Sequence, residues 1–212
     1  MPDCANPIFY FVRHGENPAN VTGEFSYKLV DYPLTKKGQE QSAKTAASLA
    51  DTPVRAVFTS PLRRARETAE AIAAVHRLTP IVIEEFRELN VGDLEIGPPS
   101  REKWAIHDRI MTAWLAGDYA PAFPSGEDFH SALARMRRGL ARVLAHGGRH
   151  PVVVGHFGLF NVSMTRICDN FSRGELERRG NPNCAVTRIR FSTTDPASIS
   201  GEVLEWASTS HL

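Results

Sequence analysis

An alternation of apolar runs and helical patterns in the first 83 residues limits the fold of this chain most strongly. Short apolar runs, which are typical of buried strands, occupy 9–12, 54–58 and 81–83. Helical patterns lie between them at 35–50 and 60–75, with Thr35 and Ser60 as expected N-caps. This order predicts an α/β fold of three layers (α/β/α), with helices on both faces of a mostly parallel central sheet.

The second half of the chain adds three helical patterns and three strands. Helices are expected over 101–115, 127–145 and 159–167. Strands are expected over 151–155, 185–191 and 202–207, the last two as a hairpin or edge pair. Stretches without a regular period, at 17–23, 25–33, 84–99 and 117–126, are expected to be loops or turns. Because no repeat or linker interrupts the pattern, we expect residues 1–212 to form a single domain.

Composition and charge argue against several function classes. The net charge of +1 provides no basic field, so nucleic acid is not expected as a partner. No apolar run is long enough to cross a membrane, and the N-terminus lacks a signal-peptide pattern. The three cysteines, Cys4, Cys168 and Cys184, form no CxxC pair, which favours a reducing cytoplasm. The oligomeric state is not readable from the sequence, so a homodimer stays open.

Two histidines follow directly on predicted strands. His14 ends the run at 9–12 after Arg13, and His156 ends the run at 151–155. Since the carboxyl ends of parallel strands meet at one sheet edge, both side chains are expected to face one pocket. Arg64, near the end of another strand, offers a rigid fork of donors that fits phosphate oxygens. Taken singly, each histidine is better explained as a hydrogen-bonded structural residue, and Arg64 as a solvated arginine of a helix face. The coincidence of two such histidines, with Arg13 beside one, favours a functional site.

Six segments in order resemble the histidine phosphatase superfamily, with its phosphoglycerate-mutase-like fold. The first is Arg13-His14-Gly15-Glu16 with Asn20, which resembles the RHG(E) signature of that family. The others lie at 33–41, 59–68, 88–95, 124–127 and 152–156. An RHG triplet alone is a weak signal, whereas the ordered set is specific. Three positions depart from the family pattern, namely Asn17, Ile96 and Phe157.

The resemblance implies a role for each matching residue. His14 corresponds to the nucleophile that becomes phosphohistidine, and Glu88 to the proton donor for the leaving group. The phosphate pocket is implied to contain Arg13, Asn20, Arg64 and His156, with the backbone amide of Phe157 as a further donor. Gly15 is implied to let backbone approach the histidine ring closely.

The chemistry of phosphoryl transfer fits these residue types. No metal motif or other cofactor motif is present, so two arginines and a histidine are expected to neutralise the phosphoryl oxygens. The same charges disfavour protonation of His14, while His156 is expected to be protonated once phosphate is bound. Glu88 needs a raised pKa, which clustered carboxyls or burial would supply. Otherwise it is a solvated glutamate among Glu84, Glu85 and Glu95.

The leading interpretation is a cofactor-independent phosphomonoester hydrolase that acts on a small phosphorylated metabolite. A phosphoglycerate mutase is the nearest alternative, and the short segment 96–123 favours the phosphatase. A phospho-ligand-binding or regulatory protein without turnover is the alternative from another class. His146 and His150 are spaced like a metal pair, but Gly147 and Gly148 break the helix between them.

The substrate is not readable from the sequence. Four residues either bind a second anionic group of the substrate or form a solvated helix face, namely Arg101, Lys103, His107 and Arg109. Trp104 and Trp114 either line a pocket or pack in the core.

Overall fold

The computed structural model describes residues 7–148, 150–192 and 198–212. The predicted site residues all lie in these ranges, whereas Cys4 lies outside them. In this part of the chain no helix is long and apolar enough to cross a bilayer. The two described cysteines, Cys168 and Cys184, are both free and buried.

Six strands form one mixed sheet in the order β3-β2-β4-β1-β5-β6. The strands are β1 (Ile8–Arg13), β2 (Val57–Thr59), β3 (Ile81–Val82), β4 (Val152–Gly155), β5 (Val186–Phe191) and β6 (Gly201–Ser208). The first four in this order run parallel, since β2 pairs with β3 and β4, and β1 pairs with β4. β5 runs antiparallel to β1, and β6 to β5, so the C-terminal pair closes one side as predicted.

Seven helices connect or flank the strands in the described residues. They are α1 (Pro18–Thr22), α2 (Lys36–Leu49), α3 (Arg63–Val75), α4 (Arg101–Ala116), α5 (Phe129–His146), α6 (Phe157–Ile167) and α7 (Arg173–Arg179). Two short 3₁₀ turns, Glu84–Phe86 and Gly92–Glu95, interrupt the irregular segment between β3 and α4.

The side chains of β1 alternate between two hydrophobic cores, which lie on opposite faces of the sheet. Phe9 and Phe11 point into the larger core, which is shared with α4, α5 and α6. Val12 points the other way, into a smaller core with α2 and α3. Because successive side chains of a strand face opposite sides, each strand contributes to both layers. The predicted three-layer α/β/α fold with a mostly parallel sheet is confirmed.

The loop prediction for 17–23 is wrong, because α1 lies there. Asn17 is extended, as expected before proline, but its side chain accepts a hydrogen bond from the backbone N–H of Asn20. The Asn20 side chain accepts one from the backbone of Asn17 in return, which completes a capping box. Pro18 suits the first helical turn, where its missing N–H costs nothing. Gly23 then ends the helix in the left-handed region, with φ of 75°.

Two further predictions differ from the structure. The N-cap of α3 is Leu62 rather than Ser60, and the helix begins at Arg63. Helix α7 was not predicted, although Ser172 and Glu175 form a capping box that the sequence shows as an S-x-x-E pattern.

Candidate active site

The two histidines lie side by side at the carboxyl ends of β1 and β4. Arg13 pairs with Gly155 in the parallel register, so the next residue of each strand is His14 and His156. The backbone N–H of His14 donates to the Gly155 carbonyl at 3.0 Å, and the ring centroids are 5.1 Å apart. The sheet therefore brings together two side chains that are more than 140 positions apart in the sequence.

His14 is held as a neutral imidazole. Its ring is only 3% exposed, and Nδ1 lies 2.8 Å from the carbonyl oxygen of Gly15. Nδ1 must donate to that carbonyl, so Nε2 carries the lone pair and accepts from Nε of Arg64 at 3.1 Å. Burial first, and then the charges of Arg64 and Arg13, hold the pKa of His14 well below its usual range. Nε2 of His14 is therefore unprotonated.

Arg64 connects the two histidines to a surface loop. It lies in the first turn of α3 and is buried. Besides His14, it donates to Oγ and the carbonyl oxygen of Ser26, each at 2.8 Å, and to Nδ1 of His156 at 3.1 Å. Burial lowers the pKa of Arg64 to about 10, which leaves the guanidinium charged at neutral pH. Arg64 is thus a structural centre of the site, and the solvated alternative for it is wrong.

His156 is also neutral in this arrangement. It is fully buried, with 0% exposure, and Nδ1 accepts from Arg64. Nε2 must then carry the proton, which it donates to Oγ of Ser60 at 2.7 Å. Burial, followed by the charges of Arg64 and His14, holds the pKa of His156 well below its usual range. Ser60 was predicted as a helix cap, but it serves as the hydrogen-bond partner of this histidine.

One N–H group of Arg13 has no hydrogen-bond acceptor among the described residues. Its Nη1 donates to the Asn181 carbonyl at 2.7 Å, and its guanidinium lies 5.1 Å from the ring centroid of Phe157. Its Nε is buried without a partner in the described part of the chain. Burial lowers the pKa of Arg13 to about 10, so it also stays charged. A buried, charged N–H without an acceptor is costly, unless a ligand supplies one.

Three asparagines lie near His14, and only Asn20 was predicted as a phosphate ligand. The Oδ1 of Asn20 accepts from Nδ2 of Asn183 at 3.1 Å, and the same Nδ2 lies 3.0 Å from the carbonyl oxygen of His14. Asn17 is buried, and its Nδ2 has no partner among the residues described. All three line the pocket. The sequence does contain a signal for Asn17, because an asparagine directly before proline is a typical helix N-cap. It contains no comparable signal for Asn183.

Glu88 caps the N-terminus of α6. Its Oε1 accepts the backbone N–H of Leu89 and of Leu159, each at 2.9 Å, and its Oε2 accepts that of Gly158 at 3.0 Å. A Cβ at Gly158 would lie 2.9 Å from Oε1, so this approach needs the glycine. Glu88 also lines the pocket, and the alternative of a solvated loop glutamate is wrong.

The expected cluster of carboxyls around Glu88 does not form. Glu84 pairs with Arg87, and Glu85 pairs with Arg142. Glu95 is only 6% exposed and accepts the backbone N–H groups of residues 27–30 at 2.8 to 3.2 Å. Four donors compensate for burying this carboxylate, and they fix the loop that carries Ser26. Glu95 is an organising residue that the sequence showed only as part of a motif.

Two glycines bring the strand end against α2. A Cβ at Gly15 would lie 2.6 Å from the carbonyl oxygen of Gly38, and one at Gly38 would lie 2.0 Å from that of Glu16. A side chain at Gly15 is therefore excluded by the first turn of α2, and the Gly15 carbonyl lies 2.8 Å from Nδ1 of His14, so the backbone also approaches the histidine ring as expected. Ile96 needs no glycine, because its backbone is extended and the left-handed conformation falls on Gly97, with φ of 73°.

A pocket of about 410 Å³ is lined by several of these residues, whereas the fully buried His156 is not among its lining residues. His14, Arg13, Arg64, Glu88 and Phe157 line one part of it. Phe157 begins α6 and is 36% exposed, which places its ring at the pocket wall.

Of the four residues considered for a second anion, only His107 lines the pocket. Arg101 and Arg109 are exposed, and Nζ of Lys103 donates to backbone carbonyls of Ile96 and Pro98. Trp104 lines the pocket, whereas Trp114 is a core residue.

Comparison with known proteins gives consistent results. A probable phosphoglycerate mutase of Erwinia tasmaniensis is 30% identical over 96% of this chain and 94% of its own length. A mycobacterial glucosyl-3-phosphoglycerate phosphatase has a TM-score of 0.79 at 23% identity, covering 96% of this chain and all of the other, which shows the fold. The alpha-ribazole phosphatase of Shigella flexneri has a TM-score of 0.73 at 25% identity, covering 95% and 96%.

The family model of the histidine phosphatase superfamily (branch 1) matches residues 9–200. The match includes every predicted site residue, from Arg13 to Phe157. The chain belongs to the histidine phosphatase superfamily.

Proposed function

We propose that this protein hydrolyses phosphate monoesters of small metabolites through a phosphohistidine at Nε2 of His14. One observation carries the proposal: His14, whose Nε2 is unprotonated, lines a pocket together with Arg13, Arg64 and Asn17, and the buried donors Arg13 Nε and Asn17 Nδ2 have no partner among the described residues. A phosphate dianion offers the acceptors that these donors lack.

The first chemical step forms the bond between Nε2 of His14 and phosphorus, while the bond from phosphorus to the ester oxygen breaks. The substrate phosphate replaces Nε2 as the acceptor of the Arg64 Nε–H, which frees the lone pair. Nδ1 keeps its proton and its hydrogen bond to the Gly15 carbonyl, which stabilises the positive charge on the phosphorylated ring. Arg13, Arg64, Asn20 and the Phe157 amide are the proposed ligands of the phosphoryl oxygens. His156 is proposed to join them by giving up its present hydrogen bond to Arg64 or to Ser60.

Glu88 is the proposed proton donor to the leaving oxygen. Its Oε1 already accepts two backbone N–H groups, whereas Oε2 accepts one, so Oε2 is the atom with room for a proton. In the second step water attacks phosphorus, the bond to Nε2 breaks, and the Glu88 carboxylate takes the proton of the water. Phosphate leaves, and both His14 and Glu88 return to their starting states.

A mutase would instead return the phosphoryl group to a bound sugar acid. The curated relatives named probable phosphoglycerate mutase match this chain over 94% of their own length, so the length of the segment 96–123 does not separate the two activities. What supports hydrolysis is the pocket, whose only described lysine or arginine side chains are Arg13 and Arg64. Both are committed to the phosphoryl group, which leaves no further cation for a carboxylate.

The decisive experiment follows phosphate release and the phosphoenzyme together. Purified protein is incubated with 4-nitrophenyl phosphate and then quenched, and the acid-labile phosphoryl group is mapped by mass spectrometry. We expect release of phosphate and a phosphoryl group on His14, and His14→Ala should lose both. His130→Ala is the control, since His130 is exposed and lies outside the pocket.

Other outcomes would select the alternatives. Binding of inorganic phosphate without release from any ester would indicate a non-catalytic phospho-ligand-binding protein. Interconversion of phosphoglycerate isomers without released phosphate would indicate a mutase. A phosphoryl group trapped elsewhere in His14→Ala would overturn the assignment of the nucleophile.

We also propose that residues 1–212 act as one domain in the cytoplasm, on a small-molecule phosphate ester, without a cofactor, nucleic acid or membrane. The free, buried thiols of Cys168 and Cys184 support a reducing compartment. A homodimer stays a prediction that light scattering can test.

A further inference from the structure

The part of the pocket that would hold the leaving group contains negatively charged side chains, which is unusual for an enzyme that acts on anionic substrates. Arg64 contacts both histidines and Arg13 contacts the Asn181 carbonyl, and the remaining ionisable lining residues in the described chain are Glu24, Glu88 and His107. Glu88 is tied to the N-terminus of α6, and Nδ1 of His107 lies 2.9 Å from a carboxylate oxygen of Asp108. Of these three described residues, Glu24 is therefore the one without a charged or helix-terminal partner.

Glu24 has no cation beside it. Its Oε2 accepts from Oγ1 of Thr22, and its Oε1 lies 3.4 Å from the hydroxyl of Tyr32. No ion pair joins it to a lysine, arginine or histidine within 7–148, 150–192 and 198–212. As a residue Glu24 is half-buried and lines the pocket, so the field of its charge is only partly screened by water.

The backbone beside Glu24 is held in place by the aromatic part of the pocket wall. Nε1 of Trp104 donates to the Gly23 carbonyl at 2.9 Å. The Trp104 ring stacks on Phe25, with centroids 4.4 Å apart. Gly23 and Phe25 flank Glu24 in the sequence, so the position of its backbone is fixed on both sides. The backbone of Glu24 is therefore positioned at the pocket wall, which keeps its carboxylate near a leaving group bound in this pocket.

The rest of this wall is apolar. Leu89 and Val91 are buried and line the same pocket as Phe25 and Trp104. A volume of about 410 Å³ accommodates a phosphate together with one ring-sized organic group.

We propose that the pocket selects phosphate monoesters whose leaving group is uncharged or cationic, with an apolar portion, and that Glu24 discriminates against leaving groups carrying a carboxylate or second phosphate. This inference rests on the proposed phosphatase activity and narrows its substrate class. Phosphoglycerate carries a carboxylate, so the same charge disfavours it.

Three aryl phosphates that differ only in a remote substituent test the inference. They are 4-propylphenyl, 4-(2-aminoethyl)phenyl and 4-(2-carboxyethyl)phenyl phosphate, in which two methylene groups insulate the phenol from the substituent. The readout is kcat/KM from released phosphate at pH 7.5 and low salt. We expect the carboxylate ester to be about fivefold or more below the propyl ester, as for like charges at close range in a watery pocket. The amine ester should equal or exceed the propyl ester.

The variants Glu24→Gln and Glu24→Lys separate the charge from the shape of the pocket. Glu24→Gln should bring the carboxylate-to-propyl ratio close to one, and Glu24→Lys should raise it above one. Glu102→Gln is the matched control, because Glu102 is an exposed carboxylate of α4 outside the pocket lining. It should leave the wild-type ratio unchanged. The carboxylate-to-propyl ratio of kcat/KM is taken within each variant, so a general loss of activity does not affect the result.

Different results would contradict the proposed phosphatase activity and the proposed role of Glu24. If none of the three esters releases phosphate, the proposed phosphatase activity is wrong. If all are hydrolysed and the carboxylate ester is preferred, or if Glu24→Gln and Glu24→Lys leave its ratio unchanged, the activity stands and the role of Glu24 is overturned.

Discussion

Nε of Arg64 donates a hydrogen bond of 3.1 Å to Nε2 of His14. This contact accounts for two properties of His14 at once. The positive charge beside the ring disfavours its protonation, and the hydrogen bond orients the lone pair of Nε2 toward Arg64, a proposed ligand of the phosphoryl oxygens. The same guanidinium reaches His156 and the loop at Ser26, so the site is preorganised around one side chain.

Arg64→Lys should lower kcat/KM for 4-nitrophenyl phosphate by about a hundredfold to a thousandfold. A lysine keeps the charge but cannot donate in a fixed plane to His14, His156 and Ser26 together. Arg66→Lys is the control, since Arg66 is exposed two residues further along α3 and should lose nothing measurable. Equal activity in Arg64→Lys and wild type would show that charge alone suffices.

Glu88→Gln should reduce turnover of alkyl phosphates by about a hundredfold or more, and of 4-nitrophenyl phosphate far less. An alkoxide needs a proton to leave, whereas 4-nitrophenolate does not. The amide oxygen of glutamine can still accept the N–H groups of Leu89 and Leu159, whereas its amide nitrogen cannot accept that of Gly158, so the fold should persist with some loss of stability. Glu84→Gln, an exposed neighbour paired with Arg87, should affect neither substrate. A uniform loss across leaving groups would assign Glu88 a role in binding instead.

The free energy of unfolding should fall as the pH drops below 6.5, the ordinary pKa of histidine. Because the pKa values of His14 and His156 are lowered in the folded protein, the unfolded chain binds their protons first, and unfolding takes up protons. Each histidine contributes a slope of up to about 1.4 kcal/mol per pH unit between its folded pKa and 6.5.

Urea denaturation of wild type and of the double variant His14→Gln, His156→Gln at pH 7.5, 6.5, 5.5 and 5.0 measures this dependence. The variant should be flatter below pH 6.5, because glutamine does not titrate. Parallel curves for the two proteins would contradict the lowered pKa values.

Glu95→Gln should destabilise the protein by about 2 kcal/mol and raise KM more than it lowers kcat. A neutral amide replaces a carboxylate that accepts four backbone N–H groups, so the loop at 27–30 loses its anchor and Ser26 no longer holds Arg64. Hydrogen exchange should accelerate at the amides of 27–30. Asp93→Asn, at an exposed carboxylate in the same 3₁₀ turn, is the control. Unchanged exchange in Glu95→Gln would rule out the anchoring role.

Several of the site residues were predictable because local patterns determine them. The apolar runs that end at His14 and His156 favour strands by their own residue types. Parallel pairing then places both histidines at one edge of the sheet. Thr35 caps α2 through its own side chain, as its residue type and position predict. Ser60 shows the limit: its sequence fits a helix cap, yet its hydroxyl bonds to His156, which only β4 brings near.

The sequence by itself determined the order of strands and helices and the residue types that phosphoryl transfer needs, because periodicity and strand ends are local properties. Only the tertiary structure decided how these residues are used. Glu88 caps α6, Glu95 anchors the Ser26 loop, Asn183 reaches His14, and Glu24 faces the pocket. These relationships join residues far apart in the chain, and their energies depend on burial and on which donors remain without acceptors. Those quantities exist only once the chain has folded.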